Sequence, residues 1–220
     1  MINVSDIQFD DQYWRDSVYD GIFLKKEYEH KDIAVEKGDI VVDLGANIGI
    51  FSLYAEDHGA EFIYAFEPIP HYLGFFKTNL QKYSNIELSE AGIGQKTEKD
   101  YIVYDEDGNT ILAEVYNDFK WKSEERKSLS INIISINDFM DNMDNVDFLK
   151  VDIEGSEYKI FEIITNENLK KIKKIACEFH WNYNDKLSKI IDKLKENNFD
   201  VYHFYTDELF KIGKLFAKKN

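Results

Sequence analysis

Two pairs of polar residues stand where an apolar run gives way to a loop: Asp152 and Glu154 in "FLKVDIEGSE", and Glu178 and His180 in "IACEFHW". Members of each pair are two apart, and side chains two apart on a strand start on one face. Acids in such apolar surroundings are rarely buried without a partner or a task. If the two strands are neighbours, three carboxylates and an imidazole meet at one edge. There they can take a proton from a weak nucleophile or hold a divalent cation, and spacing alone leaves both open. His30, His58, His71 and His203 have no such company and read as surface or packing residues.

A second constellation lies in "VVDLGANIGIFSLYA", where an apolar run meets Asp43 and then Gly45 and Gly49. A phosphate-binding P-loop needs Gly-Lys-Ser/Thr after its second glycine, and Gly49 is followed by Ile50. A dinucleotide fingerprint needs glycines where Asn47 and Ile50 stand, so the backbone could not approach a pyrophosphate closely. What remains is D-x-G-x-x-x-G, a turn suited to a ligand without phosphates whose amino-acid end lies against the loop.

S-adenosylmethionine is such a ligand, and here the chain resembles a known family. "VVDLGANIG" looks like the first motif of class I methyltransferases and "AFEP" (65–68) like their second. "FLKVDIEGSE" and "IACEFHW" are similar to later motifs of FkbM-type methyltransferases. The resemblance runs from Lys37 to Trp181. It implies a single α/β, Rossmann-like domain: a mostly parallel seven-stranded sheet with an antiparallel C-terminal strand. It also implies cofactor contacts from Asp43, Gly45, Ala46, Asn47, Gly49, Glu67, Pro68 and Asp152, with Glu90 and Ala91 toward the adenine. Glu67, ending the second strand, can accept both ribose hydroxyls. The implied reaction is methylation of a hydroxyl on a sugar, glycan or small-molecule natural product, with Asp152, Glu154, Glu178 and His180 acting on the acceptor. A hydroxyl is a weak acid, so a base or a divalent metal must activate it. Two rivals are weighed against this: a nicotinamide-dependent oxidoreductase, and a non-catalytic scaffold that keeps the fold.

These residues need elements to hold them. From residue 38 onward strand-like and helix-like patterns alternate, as in βα units around a largely parallel sheet. Strands are expected at Asp39 to Leu44, Phe62 to Phe66, Ile86 to Ser89, "LSINII", "VDFLKV" and "KKIACEF". Helices are expected at Ile48 to Asp57, His71 to Lys82, Glu157 to Ile164 and "KLSKIIDKLKENNF". "DEDGN" marks a turn, and "DVYHFY" with "ELFKIGKLFAKK" an antiparallel finish. Residues 1–36, rich in aromatics, are expected to form a cover or lid over a domain spanning 37–220.

Composition narrows the partners. With 42 Asp and Glu against 27 Lys and Arg, and the lysines scattered, most of the surface repels nucleic acid. Cys177 is the only cysteine, so there is no disulfide framework. The first residues carry acids where a signal peptide needs a basic and then an apolar stretch, and no apolar run reaches membrane length. A cytoplasmic protein is the expectation.

Overall fold

The computed structural model describes residues 2–104, 110–112, 127–180 and 186–220. The "DEDGN" turn and Trp181 lie outside the described residues.

The main sheet has seven strands: β1 (Ile40–Leu44), β2 (Phe62–Phe66), β3 (Ile86–Ser89), β8 (Val146–Val151), β9 (Ile172–Phe179), β10 (Phe199–Asp207) and β11 (Ile212–Lys219). Their order is β10-β11-β9-β8-β1-β2-β3. All neighbours run parallel except β11, which is antiparallel to both β9 and β10. The expected mostly parallel sheet is present, and its antiparallel strand is inserted between two others rather than added at the edge.

Alternation along the central strands divides the core. Val42, Leu44, Leu149 and Val151 pack on one face. That face is covered by α4 (Ile136–Asp141), α5 (Glu157–Ile163), α6 (Asn166–Lys170) and α7 (Lys186–Glu196). Val41, Ile63 and Phe148 pack on the other, under α2 (Ile50–Asp57) and α3 (Pro70–Leu80). Four residues of α7 expected at helical spacing, Leu187, Ile190, Ile191 and Leu194, all pack on the core.

Three expectations are corrected. "LSINII" belongs not to the main sheet but to β7 (Lys127–Ser135) of a second one, with β4 (Gly92–Gly94), β5 (Glu98–Tyr104) and β6 (Thr110–Leu112), in the order β4-β7-β5-β6. The glycine-turn helix starts at Ile50 rather than Ile48, because Asn47 and Gly49 both take left-handed backbone, with φ of 52° and 90°. Asp152 lies beyond the end of β8, and Glu154 has a φ of 52°, so strand alternation does not pair them.

The N-terminal residues are integral to one core face. They contain α1 (Gln12–Tyr19), running into a single π-helical turn (Asp20–Leu24), and bury Ile7, Ile22, Tyr28, Ile33 and Val35. No helix among the described residues is long and apolar enough to cross a membrane.

Candidate active site

A cavity of about 320 Å³ opens at the carboxyl ends of β1, β2 and β8, where open α/β sheets bind ligands. One wall is the turn Gly45–Ile48; another is Phe66, Glu67 and Pro68 at the end of β2. Ile93, Ile131 and Ile133 of the second sheet make an apolar side. Asp152, Glu154 and Glu178 line the acidic end.

The glycines of the turn are fixed by neighbours. Gly45 has a φ of 79° and Gly49 one of 90°, both in the region that favours glycine. A β-carbon at Gly49 would collide with Leu80 and Phe76 of α3. Glu67 closes the turn from the side. Its Oε2 accepts the Asn47 N–H and its Oε1 the Ile69 N–H, both at 2.8 Å. Burial pushes its carboxyl up to about 7, against the lowering effect of those two N–H donors.

Asp43 sits beneath the turn, fully buried and away from the cavity lining. It pairs across the sheet with Lys150, its register partner on β8. Lys150 Nζ is 3.1 Å from Asp43 Oδ1 and donates to the carbonyls of Gly45 (2.7 Å) and Leu44 (3.3 Å). The Ser52 hydroxyl donates to Asp43 Oδ2 at 2.8 Å. Burial opposes the Lys150 charge, but Asp43 and Asp152 outweigh it and raise its pKa, so the amine stays protonated. Glu90 is exposed and bonded to Lys77, and Ala91 is buried. Neither lines the cavity; Gly92 and Ile93, next in the chain, do.

At the acidic end the turn after β8 does the positioning. Glu157 Oε1 accepts the N–H groups of Ile153 (3.2 Å) and Gly155 (3.0 Å), curling the backbone and leaving Glu154 in its left-handed conformation. The same oxygen meets His180 Nδ1 at 3.0 Å. His180 Nε2 is then 3.7 Å from Glu154 and 4.0 Å from Asp152. Burial disfavours the charged imidazole, yet Glu157, Glu154 and Asp152 overcome this and push its pKa up to about 10. His180 is therefore a cation at neutral pH, not a free base with an ordinary histidine pKa. The Glu154 side chain is 54% exposed, and partial desolvation of its carboxyl with the nearby Asp152, Glu157 and Glu178 raises its pKa to about 7, against the pull of His180. Glu178 is held by Lys214 of β11 at 2.8 Å. Asp152, Glu178 and His180 each bring one ligand-capable atom within 4.8 Å of the others, a grouping that could hold a divalent cation once His180 gives up a proton. Glu154, expected from sequence beside Asp152 and Glu178 as an oxygen ligand, is not in that grouping.

Three residues of this site were not singled out from sequence. Lys150 carried a signal, a charge inside the apolar run "DFLKV". Tyr28, whose hydroxyl donates to Asp152 Oδ2 at 2.7 Å, and Lys214, from the final strand, carried none, because each is far in sequence from what it touches.

The family described as "Methyltransferase FkbM domain" matches residues 43–201. "Methyltransferase 1" of Beauveria bassiana is 26% identical over 81% of this chain and 82% of its own. "31-O-demethyl-FK506 methyltransferase FkbM" of Streptomyces tacrolimicus is 20% identical over 91% and 84%. Among solved structures, precorrin 8w decarboxylase of Methanobacterium thermoautotrophicum aligns over 100% of both chains with a TM-score of 0.50 and 13% identity. A putative rRNA-methylase from Clostridium thermocellum aligns over 97% of this chain and 98% of its own, with a TM-score of 0.50 and 10% identity. These last two bear on the fold alone. The family match sets aside the nicotinamide alternative, and over residues 43–201 this chain belongs to the FkbM methyltransferase family, enzymes that use S-adenosylmethionine.

Proposed function

We propose that the protein methylates a hydroxyl group of a sugar or small-molecule natural product, with Glu154 as the general base. The observation that carries this is the backbone of Glu154. A non-glycine residue held at a φ of 52° by the Glu157 carboxylate, with its side chain in the cavity, is the kind of local strain that clusters at working sites. A carboxyl with a pKa near 7 is also matched to taking a proton at neutral pH. The name of the Streptomyces tacrolimicus relative, an O-demethyl-compound methyltransferase, supports an oxygen acceptor.

The cavity's chemistry fits S-adenosylmethionine. Glu67 offers acceptors for a ribose diol, the isoleucines and Phe66 an apolar slot for adenine, and the Gly45–Asn47 backbone with Asp152 a polar end. When bound, the cofactor supplies a methyl group already activated by its sulfonium. With the cofactor bound, Glu154 would take the acceptor's hydroxyl proton while the methyl passes from sulfur to oxygen and a neutral thioether leaves, and the nearby His180 cation steadies the carboxylate before that transfer.

Labelled S-adenosylmethionine incubated with a panel of sugars and polyhydroxylated natural products tests the reading. Label in an ether product supports it, and label in an N-methyl or C-methyl product overturns it. Binding of S-adenosylhomocysteine with no transfer to any acceptor returns the chain to the scaffold alternative. A chelator arm asks whether a divalent cation takes part: activity lost with EDTA and restored by metal would put Asp152, Glu178 and His180 to that use.

A further inference from the structure

The acidic end holds three cations, and each has an acid closer than Asp152. Lys150 Nζ is 3.1 Å from Asp43 but 4.0 Å from Asp152. His180 is 3.0 Å from Glu157 but 4.0 Å from Asp152. Lys214 is 2.8 Å from Glu178. Among the described residues, the hydrogen bond to the Asp152 carboxylate comes from a neutral group, the Tyr28 hydroxyl at 2.7 Å. Tyr28 is buried, lines the cavity, and is clamped edge-on against Phe51, with Lys214 Nζ 4.2 Å from its ring centre. Burial and the charges of Asp152, Glu178 and Glu27 push the phenol well above its usual range, so it keeps its proton.

We propose that Tyr28 is a positioning residue that aims the Asp152 carboxylate at the cavity without neutralising it, so that this charge answers the positive sulfonium of the cofactor. The inference rests on the cavity being the cofactor site. A lysine or arginine in place of Tyr28 would orient Asp152 equally well but cancel its charge; a phenol does only the first. The backbone agrees, since the Asp152 N–H donates to the Leu44 carbonyl at 3.1 Å and the Asp152 carbonyl lies against Gly45 of the cofactor turn. The N-terminal residues therefore belong to the cofactor site and are not only a cover.

The test uses the charge difference between S-adenosylmethionine, a sulfonium cation, and its neutral product. Titration calorimetry with each ligand is run on wild type, Tyr28→Phe, Asp152→Asn and the double variant. Tyr28→Phe is expected to weaken S-adenosylmethionine at least about threefold while leaving S-adenosylhomocysteine within about twofold. Asp152→Asn is expected to do the same or more, and the double variant to match Asp152→Asn, because Tyr28 acts through that carboxylate. Equal weakening of both ligands by Tyr28→Phe, or additive losses in the double variant, would overturn the proposal and make Tyr28 a packing residue. Wild type binding neither ligand would instead overturn the reading of the cavity itself.

Discussion

Gly45 and the carbonyl oxygen of Asp152 are in direct apposition: a β-carbon at residue 45 would overlap that oxygen. The glycine turn and the acidic turn are thus one mechanical unit, joined further by Lys150, which reaches the carbonyls of Leu44 and Gly45 from β8. Gly45→Ala must both strain a φ of 79° and push the Asp152 backbone away. The variant is expected to lose S-adenosylhomocysteine binding by more than about tenfold while the sheet stays folded, read by calorimetry beside circular dichroism.

Glu67 is expected to contribute more to the ligand than to the fold. Hydrogen bonds to a charged group contribute about 1.5–3 kcal/mol each, so Glu67→Gln should weaken S-adenosylhomocysteine at least about tenfold. Hydroxyl donors favour the ionised carboxylate. Wild-type affinity should therefore rise with pH through about 7 and then level off, and the glutamine variant should show no such rise. Affinity that is flat with pH in wild type would place Glu67 outside the contact.

Removing one partner of the buried Asp43–Lys150 pair should be costly. Lys150→Met leaves a carboxylate without its cation in the core, and a loss of about 3–5 kcal/mol is expected by denaturant titration. Asp43→Asn with Lys150→Met should recover much of that loss. A double variant as unstable as the single one would show that Lys150 acts chiefly through the Leu44 and Gly45 carbonyls.

Glu154 sets the expected pH dependence of turnover. The base must be ionised to accept a proton, so the rate should rise with pH through about 7 and plateau above it. Glu154→Gln should lower turnover roughly 100-fold with S-adenosylhomocysteine affinity nearly intact, a loss of the order expected for a general base. A glutamine variant with wild-type turnover would move the base elsewhere.

His180 governs stability in the alkaline range. The folded protein holds its proton up to about 10, whereas an unfolded histidine releases it near 6.5. Between those values the native state binds more protons than the unfolded one, so this contribution is complete below about 6.5 and is lost as pH rises toward 10. Thermal melts across that range should show wild type declining more steeply than His180→Asn. Parallel declines would mean that the Glu157–His180 pair does not stabilise the fold.

Much of the scaffold was legible in sequence because its central strands are short apolar runs buried on both faces and closed by an acid or a glycine. β2 and β3 fall where expected to the residue. The second sheet was not, since "LSINII" has the same apolar pattern as a main-sheet strand and nothing in the residues says which sheet it joins. In the site, motif spacing marks Glu67 and the Gly45 turn, and both line the cavity. Asp43 looks identical in sequence whether it faces a ligand or a lysine. Its partner emerges only when β1 and β8 are laid side by side, and Tyr28 meets Asp152 across 124 positions of chain.

The insertion of β11 between β9 and β10 has a consequence for how the molecule is made. Strands β1, β2 and β3 can pair as soon as they leave the ribosome, each beside its predecessor. β10 must wait, for its only place in the sheet is against a strand that follows it in the chain. β10 and β11 close on each other as a local hairpin, but β11 docks on β9 only at the end of the chain, and the β9 edge stays open meanwhile. Lys214 arrives with β11, so the nascent chain carries Glu178 without its cation until the last strand slots in. The acids of that corner, with Lys150 and His180, come off the ribosome first, and Lys214 comes last.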